Sequence, residues 1–158
     1  MILFRRAFLA LTLASFISSA AQVAGMSGTW FLDLSKSRWG RHAKPQSAVV
    51  KVEHHEPALK YSGTIVAASG GGETTQEFSF DGAIDGKEYP AKDTVGEKRM
   101  TVQRVNASAV KSVLKAADGT IMETATTTIS RDGKTMQRDI QAKGPDGDVS
   151  WTELYDRR

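Results

Sequence analysis

The stretch DGTIMETATTTISRDGKTMQRDIQAKGPDG, residues 118–147, decides the fold, because it sets strand-like segments between three Asp-Gly pairs. Asp-Gly supplies the positive φ angle that tight hairpin turns need. The pairs begin at Asp118, Asp132 and Asp146, a constant spacing of 14 residues that is typical of successive antiparallel strands. Between them, apolar and polar side chains alternate with period two, as in a strand with one buried face.

The same pattern continues through most of the chain, with two further Asp-Gly pairs at Asp81 and Asp85. No window after the first residues sustains the spacing of an amphipathic helix. We therefore predict strands over residues 28–34, 48–55, 59–68, 73–81, 86–90, 97–105, 107–115, 120–130, 135–143 and 149–156.

A long meander must either close on itself or leave exposed strand edges. We predict an all-β fold, an antiparallel up-and-down meander closed into a barrel of about eight to ten strands. An open sandwich is the alternative fold. The segment 35–46 breaks the alternation, and we predict one short helical turn there, capped by Ser35, with Trp39 folded over a barrel end.

The first 21 residues have the three-part pattern of a cleaved secretory signal. Two arginines, Arg5 and Arg6, precede an apolar run over 7–17, and small side chains follow up to Ala21. The apolar run is too short to span a bilayer, and no second run follows, so we expect no membrane anchor after cleavage. Residues 22–158 are then a single periplasmic or secreted domain.

Composition excludes several classes of protein. The chain has no cysteine, so disulfides and lipid attachment at a cysteine are excluded. The formal charge of +3 falls to +1 once Arg5 and Arg6 are removed with the signal, and no basic stripe remains. Nucleic-acid binding is not expected from such a surface.

The sequence GTW at 28–30 opens the first predicted strand and resembles the opening motif of the lipocalins. In that superfamily the tryptophan closes one end of the barrel, and an arginine from late in the chain packs across its ring. The resemblance implies that Trp30 closes the barrel together with Arg157 or Arg158, a contact worth about 0.5–2 kcal/mol.

More of the chain resembles short exported bacterial lipocalin-like (calycin-type) β-barrel proteins of unassigned function. The similar stretches are LSKS at 34–37, FDG at 80–82, DGKEYP at 85–90, SRDGKTM at 130–136 and Tyr155. The fatty-acid-binding proteins, a sister group, clamp a carboxylate with an Arg-x-Tyr pair in the last strand. Here the matching positions read Glu153-Leu154-Tyr155, so this clamp is not expected.

Alternation along the strands also predicts which side chains face the barrel interior. We predict that ten of these line a ligand site: His54, Tyr61, Phe78, Phe80, Arg104, Glu123, Arg138, Trp151, Glu153 and Tyr155.

Among them, the four charges of Arg104, Glu123, Arg138 and Glu153 allow two interpretations. They form a polar floor that orients a ligand, or they lie at strand ends where long stems reach water. A floor with two charges of each sign favours a zwitterionic or polar-neutral ligand over a fatty acid.

Potential metal ligands are densest at EHHE, residues 53–56. Adjacent histidines on a strand point to opposite faces, so they cannot share one ion without a bulge. We predict no metal site, no cofactor and no catalytic residues.

Our leading hypothesis is an exported lipocalin-like protein that binds a small, mostly apolar or amphipathic molecule in the barrel interior. The alternatives are a structural or partner-binding barrel with a filled core, and an enzyme that uses the buried charged residues.

Overall fold

The computed structural model describes residues 25–144 and 146–158, and this part of the chain forms ten strands and no helix. The strands are β1 Gly28–Leu32, β2 Ser47–His55, β3 Ala58–Ser69, β4 Gly72–Ala83, β5 Glu88–Asp93, β6 Gly96–Asn106, β7 Ala109–Lys115, β8 Ile121–Ile129, β9 Thr135–Gly144 and β10 Gly147–Arg157. The secretory signal predicted over residues 1–21 lies outside the described residues. Within those residues, no helix is long and apolar enough to cross a membrane.

Every strand pairs antiparallel with its neighbours in sequence, and β1 also pairs with β10. In this closing pair, Trp30 lies opposite Arg157 and Leu32 lies opposite Tyr155. The predicted antiparallel meander closed into a barrel is therefore confirmed, at the upper limit of the expected strand number. Closure pairs all ten strands on both sides, which excludes the open sandwich.

The barrel has two different ends. We call the end where β1 begins the closed end; the turns 56–57, 84–87, 107–108 and 130–134 lie there. The opposite end, which we call the open end, carries the turns 70–71, 94–95 and 116–120 and the long connection 33–46 between β1 and β2.

The apolar core fills the half of the interior next to the closed end. Trp30 has 0% of its surface exposed, and its indole N–H donates to the carbonyl of Met26 at 2.9 Å. The other buried side chains of this half are Met26, Val52, Leu59, Phe80, Ile84, Val102, Ala109, Val110, Ile129, Met136 and Tyr155. Burying side chains of this size stabilises a fold by about 1.5–3 kcal/mol each, so this half holds the barrel together.

The connection 33–46 differs from its prediction in one respect. Its first turn, over residues 33–37, is capped by Asp33 instead of Ser35, and the Asp33 carboxylate accepts hydrogen bonds from the backbone N–H groups of Ser35 and Lys36 at 2.9 and 3.1 Å. A carboxylate accepts two such bonds at once, so it is a better cap than the Ser35 hydroxyl. Beyond the turn, Arg38 pairs with Thr152 and returns the chain to the edge of β10.

Candidate ligand-binding site

The open-end half of the interior is incompletely buried. The paired strands turn the same face into the barrel, and several of the inward side chains near the open end keep part of their surface accessible. The apolar ones are Leu32, Ile65, Phe78, Leu114, Val149 and Trp151. Their strand neighbours Ala48, Met100 and Ile140 are buried, and Leu32, Ile65, Phe78 and Leu114 themselves pack against the buried core. This half of the lumen is the candidate site.

Three charged side chains meet in this region, and we call them the Glu-Arg-Glu cluster: Glu123 on β8, Arg138 on β9 and Glu153 on β10. The guanidinium of Arg138 donates to Glu153 at 3.1 Å and to Glu123 at 3.3 Å. Arg138 and Glu123 keep 25% and 27% of their side-chain surface accessible, whereas Glu153 keeps 10%. The ion pairs of the cluster therefore lie inside the barrel, and Arg138 and Glu123 are partly accessible to solvent.

Glu153 is the most constrained member of the cluster. Besides Arg138, it accepts hydrogen bonds from the indole N–H of Trp151 and from the hydroxyl of Tyr155, both at 2.9 Å. Burial raises the pKa of the Tyr155 hydroxyl, and the charge of Glu153 raises it further. Both oxygens of Glu153 are thus engaged, and Tyr155 acts as a donor.

Burial and neighbouring charges also shift the pKa values of Arg138, Glu123 and Tyr61. Burial by itself lowers the pKa of Arg138, but the charges of Glu153 and Glu123 outweigh it and raise that pKa above its usual range. Burial raises the pKa of Glu123, the Arg138 charge opposes this shift, and the Glu153 charge adds to it. Burial also raises the pKa of Tyr61 to about 12. The guanidinium is therefore permanently charged.

Aromatic rings lie at the mouth of the lumen. The imidazole of His42 stacks on the indole of Trp151, with centroids 3.8 Å apart and planes 5° apart, and Trp39 lies beyond His42 at 6.2 Å. Burial lowers the pKa of His42, with the charge of Glu153 acting in the opposite direction. His42 is not among the predicted site residues, because it lies in a connection where alternation gives no orientation.

A second internal ion pair was also missed by sequence analysis. Lys98 on β6 donates to Asp93 at 3.2 Å, and both side chains are largely buried. Alternation could have predicted that Lys98 points inward, since it lies two residues before the inward Met100 on β6.

Arg104 and His54 lie apart from the Glu-Arg-Glu cluster, at the closed end. Arg104 pairs with the carboxylate of Glu56, and the same carboxylate lies 3.1 Å from Nε2 of His54. A cavity of about 180 Å³ adjoins them. Burial lowers the pKa of His54, and the charges of Arg104 and His55 lower it further. The four charged residues that could have formed one polar floor therefore lie in two groups, with Arg104 at the closed end. Alternation could not show this, because it gives the face of a strand but not the height of a residue along the barrel.

The other predicted site residues lie between these two regions. Tyr61 contacts Phe78 and Phe80 through its ring, with centroids 6.1 and 5.4 Å apart, and its hydroxyl lies 3.3 Å from the sulfur of Met100. Phe80 belongs to the buried core, whereas Phe78 and Tyr61 are partly accessible. These rings form the boundary between the packed half and the open half.

The barrel-closing pair suggested by the resemblance is found at the closed end. The guanidinium of Arg157 lies 4.5 Å from the ring centroid of Trp30, and it also donates to the carbonyl of Gly25. Arg158 lies instead over Phe31, at 4.9 Å. Of the two arginines, Arg157 is the one that covers Trp30.

A further observation limits the chemistry of the molecule. Within residues 25–144 and 146–158, no three His, Cys, Asp or Glu side chains are grouped so that they could hold a metal ion.

A groove of about 540 Å³ lies on the outer surface of β7 to β10, between Arg38 and Lys111. Its polar side chains lie on the outward faces of the strands, and Ala125, Ile140 and Trp151 also border it.

No protein-family model matches the sequence, and no curated protein matches it. Solved structures do match the fold. The ileal bile acid-binding protein of zebrafish, solved in complex with cholic acid, has a TM-score of 0.57 at 11% identity, covering 84% of this chain and 98% of that chain. Rv2717c from M. tuberculosis has a TM-score of 0.51 at 16% identity, covering 84% and 92%. At these identities the likeness shows a shared barrel fold.

Proposed function

We propose that this protein is an exported lipocalin-like barrel that binds a small amphipathic, mostly apolar molecule in the open-end half of its lumen. The observation that carries the proposal is the ring of partly accessible apolar side chains around the Glu-Arg-Glu cluster. Apolar walls with a few oriented polar groups are the usual construction of small-molecule sites. The zebrafish bile acid-binding protein shares the barrel fold, which supports this use of the interior.

An apolar ligand in the open half would bury apolar surface that the protein alone leaves accessible. Each aliphatic or aromatic side chain left partly open forfeits a share of the roughly 1.5–3 kcal/mol that full burial supplies. At least six such side chains surround the open half, namely Leu32, Ile65, Phe78, Leu114, Val149 and Trp151. An apolar ligand covers them and recovers that free energy.

A lumen-filling substitution tests the proposal. Ala142 on β9 faces the lumen between Glu123 and Val149, whereas its neighbour Lys143 is exposed on the outer face. We expect the wild type to bind the neutral fluorescent probe N-phenyl-1-naphthylamine, A142W to bind it at least about tenfold more weakly, and K143W to bind it like the wild type. Circular dichroism checks that each variant is folded.

Two results would count against the proposal. Equal binding by folded A142W would place the probe outside the lumen. An absence of probe binding by the wild type, together with no molecule retained in native mass spectrometry, would favour the filled structural barrel.

Export is the second part of the proposal and is supported by the sequence pattern of residues 1–21. Expression of the full chain in a Gram-negative host, followed by fractionation and N-terminal sequencing, tests it. We expect protein in the periplasmic fraction or the medium that begins at Gln22. Protein that keeps Met1 and stays in the cytosol would overturn this part.

A further inference from the structure

The charges on the inward side chains of the open-end half do not balance. The Glu-Arg-Glu cluster has two carboxylates and one guanidinium, and Asp93 and Lys98 add one charge of each sign. Arg104, which would have balanced the cluster, lies at the closed end with Glu56. The polar part of the lumen therefore carries a formal excess of one negative charge among the described residues.

Neither cation of this region is free to bind an anionic ligand. Arg138 donates to both glutamates of the cluster, and Lys98 donates to Asp93. A ligand carboxylate beside Arg138 would be the third negative charge around one guanidinium. In a partly desolvated lumen, each added like charge at about 4–6 Å is strongly unfavourable.

Glu123, in contrast, has a carboxylate oxygen that can accept a hydrogen bond from a cationic ligand. Its Oε1 accepts the hydrogen bond from Arg138, whereas Oε2 accepts none from the described residues. The side chain keeps 27% of its surface accessible, more than the other members of the cluster. On β8 and its neighbours, Glu123 lies beside Leu114 and Ala142, near the open end. A hydrogen-bond donor placed at Oε2 would replace no existing hydrogen bond.

We propose that the lumen selects amphiphiles whose polar end is a protonated amine, with the ammonium group on Glu123 and the apolar body against Leu114, Ile65 and Phe78. This inference rests on the proposed function of the lumen as a ligand site. An ammonium group cancels the excess negative charge and supplies donors where the protein offers an unused acceptor. The selectivity is thus opposite to that expected for a carboxylate-bearing ligand such as a fatty acid.

Three amphiphiles with one chain and different polar ends test the inference. Dodecylamine, dodecanol and dodecanoate are titrated at pH 7, below the concentrations at which they form micelles, as competitors of N-phenyl-1-naphthylamine. We expect dodecylamine to compete about tenfold or more better than dodecanoate, with dodecanol between them. This order is measured on the wild type and depends on no variant.

The role of Glu123 is then tested by E123Q, which keeps the shape and removes the charge. We expect the affinity for dodecylamine to fall about tenfold, that for dodecanoate to rise, and that for dodecanol to stay unchanged. E97Q is the matched control, because Glu97 is an exposed glutamate at the start of β6. It should bind all three compounds like the wild type.

The outcomes separate the two proposals. Binding of dodecanoate equal to or tighter than that of dodecylamine overturns the amine selectivity and leaves the lumen as a ligand site. An unchanged preference in folded E123Q also overturns it. If the probe itself does not bind, the proposed function fails, and the amine selectivity fails with it.

Discussion

Arg138 determines the electrostatics of the lumen at the scale of single residues. It is the one described cation in contact with Glu123 and Glu153, and both contacts are made from inside the barrel. Two carboxylates in such a place repel each other and lose hydration, which a single guanidinium offsets. Arg138 therefore contributes to the stability of the fold as well as to the polarity of the site.

The substitution R138M keeps the length of the side chain and removes its charge, so it leaves two carboxylates without a partner. Breaking a buried pair in this way costs about 3–5 kcal/mol, and the partial accessibility of this cluster reduces the expected loss to about 2–3 kcal/mol. Urea unfolding at pH 7 measures the free energy of unfolding. R131M is the control, because Arg131 is exposed in the turn between β8 and β9.

The loss caused by R138M should also depend on pH. Burial already raises the pKa of Glu123, and the Arg138 charge opposes that shift. Without the guanidinium, the folded-state pKa rises further above the unfolded value, so the folded state binds more protons than the unfolded state. The gap to the wild type should therefore narrow as the pH falls from about 7 to 5. A gap that is constant with pH would mean that lost packing, not charge, causes the destabilisation.

At the scale of elements, the strands were predictable because the chain is locally consistent. All ten predicted strands are present, and most differ from the structure by one or two residues at each end. The largest shift is at β5, predicted over 86–90 and found at Glu88–Asp93. The carboxylate of Asp85 accepts a hydrogen bond from the backbone of Lys87 at 2.9 Å and extends the turn.

Pro90 shows why a strand was still possible there. The ladder between β4 and β5 covers only three pairs, from Phe78–Asp93 to Phe80–Ala91. Pro90 lies just beyond it, where the missing backbone N–H removes no hydrogen bond to β4. Alternation cannot show where a ladder stops, because that depends on how the strands diverge in three dimensions.

The site was predictable only in part, for a related reason. Alternation gives the inward face of a strand, and it places Glu123, Arg138 and Glu153 together correctly. It does not give the height of a residue along a barrel of tilted strands, so it could not show that Arg104 lies apart from them, with Glu56 at the closed end. Gly63 was missed as well: a methyl group there would lie 2.4 Å from the ring of Phe78, so only glycine lets that ring lie across β3.

At the scale of the whole molecule, the two ends of the barrel differ in how their tryptophans are packed. The closed end joins β1 to β10, and Trp30 there is fully buried, hydrogen-bonded to Met26 and covered by Arg157. At the open end, Trp39 stacks on His42, and its buried indole nitrogen has no hydrogen-bond partner among the described residues. The closing seam is therefore packed more completely than the aromatic residues at the open end.

The same substitution at the two tryptophans tests this division. W30L removes a fully packed ring from the closing seam and should cost about 2–4 kcal/mol. W39L removes a partly accessible ring and an unpaired buried donor, so the loss of packing is partly offset, and it should cost about 1 kcal/mol or less. Urea unfolding followed by far-ultraviolet circular dichroism measures both, because that signal does not depend on the tryptophan removed. Equal losses at the two positions would contradict the division, since they would mean that the open end is packed as tightly as the seam.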